Sequence, residues 1–478
     1  MKHTAYDLII VGTGFASTFF LHQYLAKRPS TEKILVLERG HAVPWAERVK
    51  EKRGEKTPYA GRNPDCRETF VNTQPLKDWL FTVGYGGSSN CWYGCTPRFL
   101  PNDFRMKTLY GVGNDWPIQY DELDPYYEQV EDLMSISGPD ETPFPRRKPY
   151  AQPPHLFTAV DKILHKKYGK LYINQPTARA RIPMNGRSPC CANGVCSVCP
   201  VNAKFTIDNS NFGTYDDPRV ELLTGAQVYG LELVQDRVRK VSFRQNDRDY
   251  HVAGEVVALG ANALFNTNIL LNSGDTNAHT GHGLGEQLGL QAHVYLDNLE
   301  CVGGSTWVNA NGYMLYDGDH RRQAAACLME SSNTPFFRPE RGKWRHMASF
   351  RMIFEDMPTA ENYVTTTADI MKPIVHFNGP SDYALRGIER MKQQLPQVLS
   401  CLPVEKIVYE EPYSSEAHIL GTTRMGVTAQ DSVVDKHLRH HQYRNLFVLG
   451  SGSFPTYTPA NPTLTLSALS LHAADQSF

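Results

Sequence analysis

The sequence predicts an α/β fold with a second, discontinuous α+β domain built on an antiparallel sheet. Three observations carry that expectation. An N-terminal apolar strand leads through a glycine-rich turn into a helix and a second apolar strand. Strand-like alternation occupies the stretch between about residues 290 and 411, and a buried strand followed by an apolar helix closes the sequence. At 478 residues the chain exceeds the ~100–200 residues of a typical domain, so two or three units, or one domain enlarged by insertions, are expected.

Tyr6-Asp7-Leu8-Ile9-Ile10-Val11-Gly12 is an apolar run ended by glycine, which suits a central parallel strand buried on both faces. The composition after Gly14 is helical as far as Lys27, and residues 33–38 are a second apolar strand, completing a βαβ unit. From about 57 to 152, Pro, Gly, Tyr and Trp accumulate, so loops are expected there apart from a short helix near 121–136. An irregular stretch then runs to about Pro200. Strand-like segments return at 220–243 and 255–259, the second leading through Gly260-Ala261-Asn262-Ala263 into a helix that ends at Gly274. Alternation at 348–355 and 362–367 suits the covering antiparallel sheet. Residues 445–450 read as one more buried strand, and 462 to about 474 as an apolar helix. The expected domains are 1–105 with 200–290 and 412–478, and 106–199 with 291–411.

Lys and Arg total 49 against 50 for Asp and Glu, so there is no excess positive potential to condense on a phosphate backbone, and no nucleic-acid partner is expected. Apolar residues at 41% and charged residues at 21% supply an ordinary globular core. No apolar run approaches the ~20 residues that span a bilayer, and the run at 8–11 is too short for a signal-peptide core. The expected location is therefore cytoplasmic, or periplasmic if the chain is exported together with a partner subunit.

Gly12, Gly14 and Ser17 form a G-x-G-x-x-S turn, where missing side chains let backbone N–H groups approach a pyrophosphate at a helix N-terminus. Glu38 ends the next strand, where a carboxylate accepts from ribose hydroxyls. The glycines alone are a weak signal. With the strand, the helix and the acid in place, they predict a Rossmann-like dinucleotide site, without deciding between FAD and NAD.

Three C-terminal segments decide further: Ala417-His418-Ile419-Leu420-Gly421-Thr422-Thr423-Arg424-Met425-Gly426, Gly450-Ser451-Gly452-Ser453-Phe454-Pro455 and Ala460-Asn461-Pro462-Thr463-Leu464-Thr465. With the N-terminal turn they resemble the glucose–methanol–choline (GMC) oxidoreductase family, in that family's order and spacing. The resemblance implies FAD with its isoalloxazine between the two domains, and a catalytic pair facing it, here His418 and Asn461. Gly86-Gly87-Ser88-Ser89-Asn90 resembles the family loop beside the flavin and its pyrophosphate. Where some relatives carry a histidine joined covalently to FAD this sequence has Cys91, so non-covalent FAD is expected. Val228, Gly260, Gly450, Ser451, Pro462 and Thr463 complete the cofactor-binding candidates.

The residue types suit the chemistry on their own account. Moving a hydride from a carbinol to flavin N5 is easier if the hydroxyl proton leaves at the same time, and a neutral imidazole accepts it. An asparagine amide holds the same oxygen without competing for the proton. A core histidine and a helix N-cap would explain either residue singly. The activity expected is oxidation of a CH–OH group of an alcohol or sugar by an FAD-dependent dehydrogenase. An oxygen-reducing oxidase and a non-redox FAD lyase are the alternatives.

Cys190, Cys191, Cys196 and Cys199 crowd four of the ten cysteines into one short segment. Thiolates at such spacing suit one metal centre; an iron–sulfur cluster is expected ahead of zinc or a single disulfide. The segment is similar to that of bacterial iron–sulfur sugar dehydrogenases in the same family, although its last two cysteines stand one residue closer. That resemblance implies a [3Fe–4S] or [4Fe–4S] relay, a small exported subunit and a cytochrome c acceptor.

Overall fold

The computed structural model describes residues 1–333 and 336–478. β1 (Ala5–Val11), α1 (Phe15–Lys27) and β2 (Ile34–Glu38) form the expected βαβ unit. All of β2 and residues 8–11 of β1 are buried, which is why both read as unbroken apolar runs rather than alternating ones. Short α2 (Trp45–Lys52) and β3 (Val71–Asn72) follow, then α3 (Met106–Tyr110) and α4 (Tyr120–Leu133), the helix expected near 121–136. α5 (Ala159–Tyr168) stands where irregular chain was expected. It begins with a capping box: Thr158 Oγ1 accepts from Asp161 N at 3.1 Å, and Asp161 Oδ2 accepts from Thr158 N at 3.0 Å.

β4 (Tyr172–Asn174) precedes β5 (Val220–Thr224), β6 (Gln227–Val234), β7 (Arg237–Gln245), β8 (Arg248–Leu259) and α6 (Asn262–Asn272). The later elements are β9 (Leu288–Leu296), β10 (Val308–Gly312), β11 (Cys327–Ser332), β12 (Met347–Phe354), β13 (Tyr363–Thr365) and β14 (Ile374–His376). α7 (Asp382–Val398), β15 (Val404–Tyr409), β16 (Leu446–Val448) and α8 (Thr463–Ser477) complete the chain.

The first sheet runs β5-β2-β1-β8-β7-β6, with β16 also paired to β8. β8 changes partners along its length. Its first half pairs antiparallel with β7, across a turn at Asn246 and Asp247 whose φ of 50° and 58° suit a type I′ hairpin. Its second half lies parallel between β1 and β16, so that Ala258 faces both Ile10 and Phe447. The parallel strands therefore end together, and Gly12, Glu38, Gly260 and Gly450 stand at or just beyond their carboxyl ends, where open α/β sheets bind ligands.

The second sheet runs β15-β9-β12-β11-β10-β4. Its central strands, β9 and β12, send alternate side chains to opposite faces. Leu290, Ala292 and Val294 of β9, Phe350, Met352 and Phe354 of β12, and Met329 of β11 point into one apolar core, shared with Val160 and Leu164 of α5 and with α7. Gln291, Arg351 and Glu330 fall on the opposite face. The expected strand at 348–355 is β12, but the one at 362–367 is β13, which pairs with β14, itself paired with β3, in a separate three-stranded sheet. α7 was not foreseen from the sequence. Its Tyr383, Ala384, Gly387, Ile388, Met391, Leu395 and Val398 form one buried face. Among the described residues no helix is long and apolar enough to cross a membrane.

Candidate active site

Between the carboxyl ends of the parallel strands and the polar face of the second sheet lies a cavity of about 850 Å³, within the ~300–1,000 Å³ typical of ligand sites. Gly12 and Gly14 line one end. Gly12 has φ +90°, and a Cβ there would meet the Gly260 carbonyl oxygen at 2.6 Å, so the position accepts glycine alone. At Gly14 a Cβ would meet nothing within 4 Å, because that side of the turn is open to the cavity. Thr13 N and Oγ1 donate to Glu38 Oε2 at 3.0 and 2.7 Å, and Gly40 N donates to Oε1 at 2.8 Å. Glu38 thus fixes the glycine turn while lining the cavity itself.

The 86–90 loop crosses this turn, with Gly86 N donating to Thr13 Oγ1 at 3.0 Å. Gly87, Ser88 and Cys91 line the cavity. Gly86, Ser89 and Asn90 stand behind them: Ser89 Oγ donates to Gly86 O at 2.7 Å, and Asn90 Nδ2 donates to Tyr85 O at 2.9 Å. Ser17 also lies behind the wall, its hydroxyl donating to Val11 O at 3.2 Å and packed against Gly260. Val228, Gly260, Gly450, Ser451, Pro462 and Thr463 all line the cavity.

Sequence reasoning missed Arg39 at the same end. Its guanidinium stacks 4.0 Å over the Phe265 ring, and burial pushes it down to about 10. Its Nη1 is buried with no hydrogen-bond partner in the protein. An orphaned donor beside Glu38, above an open glycine turn at a helix N-terminus, fits the acceptors of a dinucleotide.

At the other end, His418 and Asn461 both line the cavity. Asn461 precedes α8, and its buried Oδ1 has no protein partner. His418 Nδ1 lies 3.0 Å from Gln287 Oε1, and its backbone N donates to Glu286 Oε2 at 3.2 Å. The ring is only half-buried by exposure because one edge faces the cavity, while protein packs around the rest. That burial, with the Arg351 cation second, pushes the imidazole down to about 3. The ring is thereby held in its neutral form near pH 7.

The polar face of the second sheet forms the facing wall. Cross-strand register sets Asn311, Glu330, Arg351 and Gln291 in one row over β10, β11, β12 and β9, and the last three line the cavity. Arg351 Nη2 pairs with Glu416 Oε2 at 2.7 Å and sits 4.3 Å over the Tyr413 ring. Glu330 Oε1 accepts from Gln175 Nε2 at 2.8 Å. Burial pushes its carboxyl up to about 7, against the opposing pull of Arg351. Such a row of hydrogen-bonding groups suits a polyhydroxylated ligand.

The four clustered cysteines do not form a centre. Cys190 and Cys199 are half-buried, Cys191 is exposed, Cys196 is buried, and all four are free thiols. Among the described residues no three His, Cys, Asp or Glu side chains gather so as to hold a metal ion. The buried Lys204 ammonium organises the loop instead, donating to the carbonyl oxygens of Cys196 at 2.8 Å, Trp92 at 2.7 Å and Asn90 at 3.1 Å. The iron–sulfur expectation therefore has no support in the geometry of the described residues.

A dinucleotide crevice closed by a polar sheet, with an imidazole and an amide at their junction, is an arrangement that suits a dinucleotide-dependent oxidoreductase. Residues 356–470 match the family model described as GMC oxidoreductase. The fructose dehydrogenase large subunit of Gluconobacter japonicus is 28% identical over 98% of this chain and 97% of its own length. The 2-methyl-1,2-propanediol dehydrogenase of Mycolicibacterium austroafricanum is 27% identical over 83% and 81%. The solved structure of pyridoxine 4-oxidase from Mesorbium loti shares the fold with a TM-score of 0.68 at 17% identity, covering 99% of each chain. The C-terminal part of the chain is thus similar to the GMC oxidoreductases, and nearly its whole length is similar to a fructose dehydrogenase large subunit.

Proposed function

We propose that the protein is a dehydrogenase that oxidises a secondary or primary hydroxyl of a sugar-like polyol, with His418 and Asn461 holding the reacting oxygen. The observation that carries this reading is the meeting of three features in one cavity: a neutral imidazole, an amide with an unpartnered buried oxygen, and the Glu330-Arg351-Gln291 row. FAD, when bound, supplies the hydride acceptor. His418 takes the hydroxyl proton at Nε2, the nitrogen not turned toward Gln287. The Asn461 amide lines the same end of the cavity, where it can hold the same oxygen and fix the carbinol C–H. The first turn of α8, beginning beside Pro462 and Thr463, directs its unpaired N–H groups and positive end at this part of the cavity, where they favour negative charge.

The dehydrogenase reading is supported by the dehydrogenases among the relatives, the fructose and 2-methyl-1,2-propanediol enzymes among them. An oxidase reading has its own support, because the pyranose 2-oxidase of Tricholoma matsutake is 45% identical over 26% of this chain. Reduced enzyme mixed with air separates the two: slow flavin reoxidation with fast dye reduction supports the dehydrogenase, and rapid reoxidation with peroxide release overturns it. The catalytic assignment is tested by anaerobic titration of the holoenzyme with sugars, polyols and simple alcohols. His418→Ala is expected to keep its flavin spectrum and to bleach at least ~100-fold more slowly. Bleaching at the wild-type rate in that variant rejects the assignment.

A further inference from the structure

We infer that Gln287 is a positioning residue that fixes His418 in one tautomer, with the proton on Nδ1 and the lone pair of Nε2 facing the cavity. The inference rests on the catalytic reading of His418 for its consequence, and on geometry alone for its content.

Gln287 is buried, and both ends of its amide are assigned by their partners. Nε2 stands 2.9 Å from Thr458 O and 3.2 Å from Ala460 O. Carbonyl oxygens only accept, so the NH2 group must face them, and Oε1 must face His418 Nδ1, 3.0 Å away. An amide oxygen also only accepts. Nδ1 must then carry the hydrogen, and a neutral ring leaves Nε2 unprotonated. The nearby Arg351 cation disfavours the doubly protonated ring, which removes the remaining alternative.

The clamp is itself held in register. Gly285 N donates to Leu420 O at 3.1 Å and Leu420 N donates to Gly285 O at 2.8 Å, a reciprocal bridge that sets residues 285–287 alongside 418–420. Glu286 Oε2 accepts from the backbone N of His418, so consecutive residues hold its main chain and its ring. The carbonyls gripped by Gln287 belong to the segment that leads into Asn461. One amide therefore sets the protonation of the imidazole and ties to it the backbone leading into Asn461, a role no local pattern around Gln287 announces.

The test uses holoenzyme labelled with 15N-histidine, the His418 resonances being identified by their absence from His418→Ala. Wild type is expected to show Nδ1 protonated and Nε2 bare; a protonated Nε2 overturns the inference whatever the activity. Gln287→Met, which fills the same volume but cannot accept from Nδ1, should give a mixture of tautomers and a kcat lower by ~10-fold or more, with KM little changed. Gln287→Glu keeps an acceptor at Nδ1, so it should restore the single tautomer, but it loses the two bonds to Thr458 O and Ala460 O, so kcat should recover only in part. It should also move the acid limb of the pH profile upward, because a carboxylate beside the ring favours its protonation. Equal losses in both variants with the wild-type tautomer retained would reduce Gln287 to packing and reject the inference. Should neither variant fold, the wild-type spectrum decides alone. Full activity of His418→Ala, by contrast, would sink the catalytic reading and leave the tautomer measurement standing.

Discussion

A methyl group on Gly12 would lie 2.6 Å from the Gly260 carbonyl oxygen at a φ of +90°, whereas one on Gly14 would project into empty cavity. The two glycines of one motif thus serve different ends. Gly14→Ala is expected to melt within about 0.5 kcal/mol of wild type but to purify with little FAD, seen as a lost visible spectrum. Gly12→Ala should cost about 2–4 kcal/mol in urea unfolding as well. Glu330 carries a prediction in pH. Its folded carboxyl titrates near 7, above the ordinary value of 4.5, so its contribution to stability is complete below about pH 4.5 and is lost as pH rises through 7. Glu330→Gln should therefore gain stability over wild type at pH 8 and little at pH 5; an equal change at both pH values would contradict the shift. Of these residues, the glycines, His418 and Asn461 were legible because their signals are local runs of sequence. Arg39, Gln287, Glu330 and Arg351 were not, because cross-strand register and the return of distant segments give them their place.

At the scale of elements, legibility followed burial. β1, β2 and β16 are buried over their apolar runs and announce themselves by composition. α7 hides a clear amphipathic face behind Gly387 and Pro396, both poor helix formers, although Gly387 is needed where α7 approaches Ala325. α5 was signalled by Thr158 and Asp161 at capping-box spacing, but it is short and sits among turn-forming residues. β13 is the strand its alternation predicts but lies outside the covering sheet, since alternation says nothing about which neighbour a strand finds. The capping box has a measurable share in α5. Thr158→Ala should lower stability by about 1–2 kcal/mol, read from thermal unfolding, while leaving the flavin spectrum intact. A loss of flavin in that variant would mean that α5 supports the cavity more directly than its distance through the apolar core implies.

For the whole molecule, the cavity divides two sheets whose facing surfaces are unlike: carboxyl ends of parallel strands on one side, a row of charged and amide groups on the other. Several groups in that space are unsatisfied by the protein alone, among them Arg39 Nη1 and Asn461 Oδ1. A buried donor or acceptor without a partner costs about 1–3 kcal/mol, so the protein without its cofactor carries these losses, with water only partly making them good. FAD bound between the sheets would meet both walls and stabilise the folded state by mass action, about 2.7 kcal/mol when free FAD stands at 100 times its Kd. Stripping the flavin should therefore lower the melting temperature, and adding FAD back should raise it with the logarithm of concentration. The same series with Arg39→Leu should show a weaker dependence, since that variant removes a donor aimed into the cavity without touching the glycine turn. Identical melting curves for stripped and reconstituted wild-type protein would mean that the ligand does not bridge the two walls, and the placement of the cofactor between the sheets would have to be abandoned.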